Sequence, residues 1–148
     1  MPTATIGPWE FEMPDGWFSK ESEASDSYFE EPGGTQGLYV KAIALSTPKP
    51  TSQELASHIQ DIHFRNFAEA DDAAWEVADR SDSDGAFCRS RLDLYDPAAS
   101  YRVLSLVVCD TRQAIQLSVH DYLCVDYAAA REAFRELENS IENVSSAV

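Results

Sequence analysis

AFCRSRLDLYD (Ala86–Asp96), SYRVLSLVVCD (Ser100–Asp110) and QAIQLSVHDY (Gln113–Tyr122) follow one another with only short links between them. The middle run carries Val103, Leu104, Leu106, Val107 and Val108 with little polar interruption, as expected of a strand buried on both faces inside a sheet. Its neighbours alternate more cleanly, which suits strands with one wetter face. Asp96-Pro97-Ala98-Ala99 and Asp110-Thr111-Arg112 are tight links, and tight links join antiparallel neighbours.

Upstream of this core, AWEVADR (Ala74–Arg80) reads as one more strand, followed by the turn Ser81–Gly85. Downstream, Asp126 stands where an N-cap belongs, before Ala130, Phe134, Leu137, Ile141 and Val144 at three- and four-residue steps. At the other end of the chain, Trp9, Phe11 and Met13 alternate within residues 5–13, and Pro14-Asp15-Gly16 makes a turn. Residues 19–31 form an acidic edge strand or arm, and Leu38–Ser46, apolar on both faces, an inner strand. After Pro48-Lys49-Pro50, Thr51-Ser52-Gln53-Glu54 is a capping box that starts a helix running to about Asp71. Its periodicity gathers Leu55, Ala56, Ile59, Ile62 and Phe67 on one side and sets Phe64 opposite, near Gln60 and Asp61.

The expected order is therefore βββαββββα. It describes one α+β domain over residues 1–148, with a central antiparallel sheet of about six to seven strands and two helices packed on it as an α/β/α-type sandwich. A chain of 148 residues with 44% apolar residues supports one such core. No apolar run approaches the ~18 residues that span a bilayer, and the N-terminal stretch does not read as a secretory signal. Cys88, Cys109 and Cys124 lack metal-like spacing and read as packed thiols, so a cytoplasmic location is expected.

A formal net charge of −15 disfavours nucleic acid and anionic membrane as partners, because both demand excess Lys and Arg. It suits a basic protein partner reached by electrostatic steering. Glu21, Glu23, Asp26, Glu30 and Glu31 are the candidate docking carboxylates, with Trp17, Asp61 and Phe64 as candidate contact residues.

Catalytic constellations are weak. His58 and His63 are five helical steps apart, about 140° around the axis, too far round to share one ion. Ser118 and His120 share a strand face at roughly 6.5–7 Å, with Asp121 on the other face, which does not poise a nucleophile. Arg89 and Arg91 share a face and make either an ion-paired surface or an anion patch. No cofactor and no metal are expected.

With this order in place, the chain resembles the PsbP-like and DcrB-like superfamily, which also holds the Ran-binding Mog protein and type VI secretion effector chaperones. The residues that carry the resemblance are F-E-M-P-D-G-W (Phe11–Trp17), GLYVKAIAL (Gly37–Leu45) and the helix start TSQEL (Thr51–Leu55). The resemblance implies a non-catalytic binding or assembly protein. Together with the charge, the expectation is a cytoplasmic bacterial immunity protein that neutralises a secreted, type VI-type toxin. The alternatives are an effector-associated chaperone or adaptor, and a small-molecule carrier or enzyme with a helix–sheet pocket.

Overall fold

In the computed structural model the described residues are 3–6, 8–13, 16–20, 27–44, 52–70, 75–83, 87–97, 100–109, 113–122 and 126–143. Five strands precede the first helix: β1 (Thr3–Ile6), β2 (Trp9–Glu12), β3 (Phe18–Lys20), β4 (Ser27–Glu30) and β5 (Gln36–Ala44). Then follow α1 (Ser52–Ala70), the strands β6 (Glu76–Ser83), β7 (Cys88–Asp96), β8 (Tyr101–Cys109) and β9 (Gln113–Asp121), the helix α2 (Tyr127–Asn139) and a short β10 (Glu142–Asn143).

The architecture is α+β as expected, with more strands than the sequence suggested. The stretch 5–13, expected as one strand, holds parts of β1 and β2, and 19–31, expected as an edge strand or arm, holds parts of β3 and β4, each pair antiparallel. Pro8 sits in the turn between β1 and β2, where its missing N–H leaves no gap in the ladder. Seven strands form the large sheet in the order β3-β4-β5-β9-β8-β7-β6, and β1-β2-β10 form a second, smaller one.

Alternation along the inner strands sorts side chains onto the two faces of the large sheet. Leu104, Leu106 and Val108 of β8 join Ile115, Leu117 and Val119 of β9 and Leu38 and Val40 of β5 on one face. Over them pack Phe134, Leu137 and Ile141 of the α2 segment beside Trp9 and Phe11 of β2. The other face holds Val107 and Cys109 under Leu55 and Ala56 of α1. Asp126 is the N-cap of α2 as expected, extended at φ −137° and accepting from the Ala129 N–H at 3.0 Å.

Leu55, Ala56 and Ile59 of α1 pack inward as the periodicity predicts, the side chain of Phe67 lies outside the described residues, and the rest of the helix departs from that reading. Gln60 is fully buried, whereas Ile62 is exposed. Phe64, expected on the outer side, packs half-buried on Leu92, Leu94 and Val103. The sheet's own floor explains the rotation. Ser90 and Ser105 present polar groups under the helix, and Gln60 Nε2 donates to the Ser90 carbonyl at 2.9 Å while its Oε1 accepts from Ser105 Oγ at 2.9 Å. A buried amide with both ends hydrogen-bonded is well accommodated there. Thr51 of the capping box lies outside the described residues.

Candidate functional site

Carboxylates gather at both ends of α2. In the β2 sequence W-E-F-E, Trp9 and Phe11 turn inward and are fully buried, so Glu10 and Glu12 face outward. Antiparallel pairing of β10 with β2 then sets Glu142 directly opposite Glu10. Glu136, exposed on the last turn of α2, closes a concavity of about 370 Å³ whose lining also includes Thr3, Asn139 and Ser140. Ser140 Oγ holds this corner together, donating to the Leu137 carbonyl at 2.6 Å and accepting from the Glu12 N–H at 2.8 Å.

Three features of this corner oppose folding. Like charges directly opposite on paired strands destabilise by a fraction of a kcal/mol, up to about 1. The C-terminal carbonyls of α2 add partial negative charge to the same place. The last turn of the helix carries no basic residue to offset it.

At the N-terminal end of α2 a second cleft, about 440 Å³ and open to solvent, lies between the helix and the β4–β5 turn. Glu31, Asp121 and Asp126 contribute carboxylates, and Ala129, Ala130 and Ala133 supply a smooth apolar wall. Gly34, at φ +72°, lets the turn fold back so that its N–H donates to the Glu31 carbonyl at 3.0 Å. Each polar group here already has structural work: Thr35 donates to Glu31, Gln36 Nε2 donates to Asp121 at 3.1 Å, and Asp126 caps the helix.

On the opposite face of the large sheet lies an aromatic cluster. The Tyr28 and Tyr39 rings are 4.6 Å apart, Tyr39 and His120 4.8 Å, and Tyr101 and Tyr122 5.3 Å. The Tyr101 hydroxyl and His120 Nδ1 share a hydrogen bond at 2.6 Å whose direction follows the imidazole tautomer. Burial, reinforced by nearby His63, pulls the His120 pKa down to about 3, so the ring stays uncharged at neutral pH. Burial is also the largest cause raising Tyr28 and Tyr122, which keeps these hydroxyls protonated.

His63 of α1 meets Gln116 and, at 3.4 Å, Ser118 Oγ. This serine–histidine contact joins two elements, which sequence spacing did not reveal, yet Ser118 is buried beneath it. Among the described residues no cluster of three or more His, Cys, Asp or Glu side chains has the arrangement of a metal site.

Gly37 makes the aromatic cluster possible. A Cβ there would stand 2.6 Å from Tyr28 Cε2 and 2.8 Å from its Cζ, so the ring occupies the space that a side chain would need. Gly37→Ala is expected to destabilise by about 1–3 kcal/mol through overpacking. Urea unfolding checks this: the penalty should shrink sharply in a Tyr28→Ala background, and a penalty unchanged there would place the strain elsewhere.

The candidate contact residues from the sequence do not form one surface. Glu31 lines the cleft at the start of α2, and Glu30, near it in the chain, accepts from the Tyr28 hydroxyl at 3.1 Å on the aromatic face. Trp17 is half-buried against the main core. Asp61 pairs with Arg80 of β6 at 2.7 Å, at the far edge of the sheet, roughly 24 Å from β4 at ~4.8 Å per strand. Phe64 belongs to the core packing of α1. Glu21, Glu23 and Asp26 lie outside the described residues.

Glu10, Glu12, Asp121, Asp126, Glu136 and Glu142 were not singled out from the sequence as docking residues. The alternation in W-E-F-E signalled that Glu10 and Glu12 face outward. Nothing local signalled that Glu136 and Glu142 would meet them.

Arg89 and Arg91 are ion-paired, as one of the two sequence readings had it. Both meet Glu138 of α2: Arg91 with two contacts, one of them Nε to Oε2 at 3.1 Å, and Arg89 at 3.4 Å. Nearby, Arg102 stacks over the Tyr127 ring at 3.8 Å and the Tyr95 ring at 4.3 Å.

The structure is similar to the solution structure of cyanobacterial PsbP (CyanoP) from Synechocystis sp. PCC 6803. The TM-score is 0.72 at 14% identity, over 96% of this chain and 91% of that one. It is also similar to a crystal structure from Bacteroides thetaiotaomicron VPI-5482, with a TM-score of 0.57 at 13% identity. That match covers 91% of this chain but only 44% of the other. No family model and no curated protein matches the chain. The likeness establishes a PsbP-like fold. No helix among the described residues is long and apolar enough to cross a membrane.

Proposed function

We propose that this chain is a non-catalytic protein-binding protein whose basic partner docks along α2, and that it serves as a bacterial immunity protein neutralising a secreted toxin of the type VI kind. The observation that carries this reading is the negative charge at the C-terminal end of α2, uncompensated among the described residues, where Glu10 faces Glu142 beside Glu136 and the helix carbonyls. A cationic partner relieves all three unfavourable features at once, so binding energy is drawn from charge repulsion already present in the unbound fold.

Two further observations support a folded basic partner over the alternatives. Phe18 and Val77, both exposed, lie on β3 and β6 at opposite edges of the large sheet, and exposed Ile62 lies on α1, so these residues do not make the continuous apolar groove that an effector chaperone needs. The cleft at the start of α2 has the volume of a small-molecule site, but its polar groups are committed to internal hydrogen bonds.

The test uses the purified product of the adjacent gene as partner and measures affinity and its salt dependence. Glu136→Lys with Glu142→Lys should weaken binding by roughly 30-fold or more, the scale of an interface hot spot. Asp79→Lys with Asp82→Lys on the β6 edge changes net charge equally and should weaken it only a few-fold. Glu142→Lys alone should stabilise the unbound protein by a fraction of a kcal/mol, since it converts a like-charge pair into an opposite-charge one. Equal losses from both double variants would reduce the effect to long-range charge and remove α2 as the docking site.

A further inference from the structure

We infer that Cys88 and Cys109 are a built-in dithiol pair that closes to a cross-strand disulfide when the protein meets an oxidising thiol pool. The two are direct partners at the end of the β7–β8 ladder, Cys88 the first residue of β7 and Cys109 the last of β8. Opposed residues in an antiparallel ladder have Cα atoms about 4.5 or 5.5 Å apart, and both values fall inside the ~4.4–6.8 Å window of a disulfide. Their side chains share a face, packed in one cluster with Leu55 and Ala56 from the start of α1. Both are reduced in this structure.

Exposure divides the roles. Cys88 is half-buried and reachable, whereas Cys109 is fully buried. With oxidised glutathione as the oxidant, the Cys88 thiolate attacks one glutathione sulfur, forming a mixed disulfide and expelling one glutathione thiolate. The Cys109 thiolate then attacks the Cys88 sulfur and expels the second. Two protein thiols are oxidised, one glutathione disulfide is reduced to two glutathione thiols, and the two protons pass to those thiols. Cys124 lies outside the described residues, and its own variant therefore enters the test. The bond ties the β7–β8 end beneath the first turns of α1.

Oxidised glutathione added to the native full-length protein, followed by peptide mapping without reduction, tests the inference. The expected product joins the Cys88 and Cys109 peptides, has lost the mass of two hydrogens, reverts with dithiothreitol and melts roughly 6–12 °C higher. Cys124→Ser should give the same linkage, and Cys109→Ala should stop at a stable glutathione adduct on Cys88. A persistent glutathione adduct on the wild-type protein, or linkage through Cys124, overturns it. The wild-type map alone decides the matter if Cys109→Ala does not fold.

Discussion

Between about pH 7 and about pH 4 the folded state is expected to lose roughly 3 kcal/mol through His120 alone, rising to nearly 5 kcal/mol once pH falls below 3. The folded pKa of about 3 is depressed below the ordinary value of 6.5, first by burial and then by His63. Between those two values the unfolded chain binds a proton that the folded one refuses, so stability falls with falling pH. Asp93 works in the other direction. It is buried, and burial raises its pKa above 3.8, so the folded state retains a proton that the unfolded state releases and gains stability in acid.

Comparing wild type with His120→Phe isolates the histidine contribution. The variant keeps a ring among Tyr39, Tyr101 and Tyr122 and removes the titrating site. At neutral pH it should lose about 1 kcal/mol with the Tyr101–His120 hydrogen bond, yet its stability should fall much less between pH 7 and pH 4. Urea midpoints at the two pH values measure this. Equal acid losses in both proteins would show that His120 does not control the acid limb.

Glu138→Ala should destabilise by about 3–4 kcal/mol. The Glu138 side chain is 3% exposed and meets both Arg91 and Arg89, so its removal takes a buried carboxylate away from two half-buried guanidinium groups. Their own exposures of 21% and 24% let water recover part of the loss, which keeps the figure at the lower end for a broken buried pair. Replacing Glu138, Arg89 and Arg91 together with apolar residues of similar volume should cost far less than Glu138→Ala alone, because no charge is then stranded. Denaturant unfolding of the single and triple variants decides it. A triple variant less stable than Glu138→Ala would mean that the ion pairs contribute net stability beyond avoiding stranded charge. The same contact anchors the C-terminal half of α2 to β7, so Glu138→Ala should also weaken the proposed docking surface.

Local pattern made much of the fold legible. The apolar run Val103–Val108, broken only by Ser105, marked an interior strand, tight links marked the antiparallel meander, and the Ala130–Phe134–Leu137 spacing with Asp126 marked a capped helix. The hairpins were less legible, because Ser27–Glu30 and Phe18–Lys20 carry too few alternating apolar residues to separate two short strands from one longer one. On α1 the first turns were legible in Leu55, Ala56 and Ile59, but Gln60 and Phe64 were set outward because hydropathy ranks glutamine as solvent-facing and has no view of the polar floor that Ser90 and Ser105 present.

The candidate site was legible only in part. Glu31 was chosen for its place in an acidic run, but its role in the structure comes from meeting Asp121 and Asp126 across the sheet. Glu10, Glu136 and Glu142 belong to segments more than a hundred residues apart in part, and no local window contains them together.

By itself the sequence determined that this is one acidic α+β chain with an antiparallel core and two amphipathic helices, since periodicity, caps and turn residues act over a few neighbouring residues. Only the tertiary structure decided which side chains meet. The pairing of β10 with β2 opposes Glu142 to Glu10, that of β7 with β8 opposes Cys88 to Cys109, and helix packing sets Glu138 on two arginines. Those encounters depend on register and packing between distant segments, where the spacing along the chain carries no information about the distance in space.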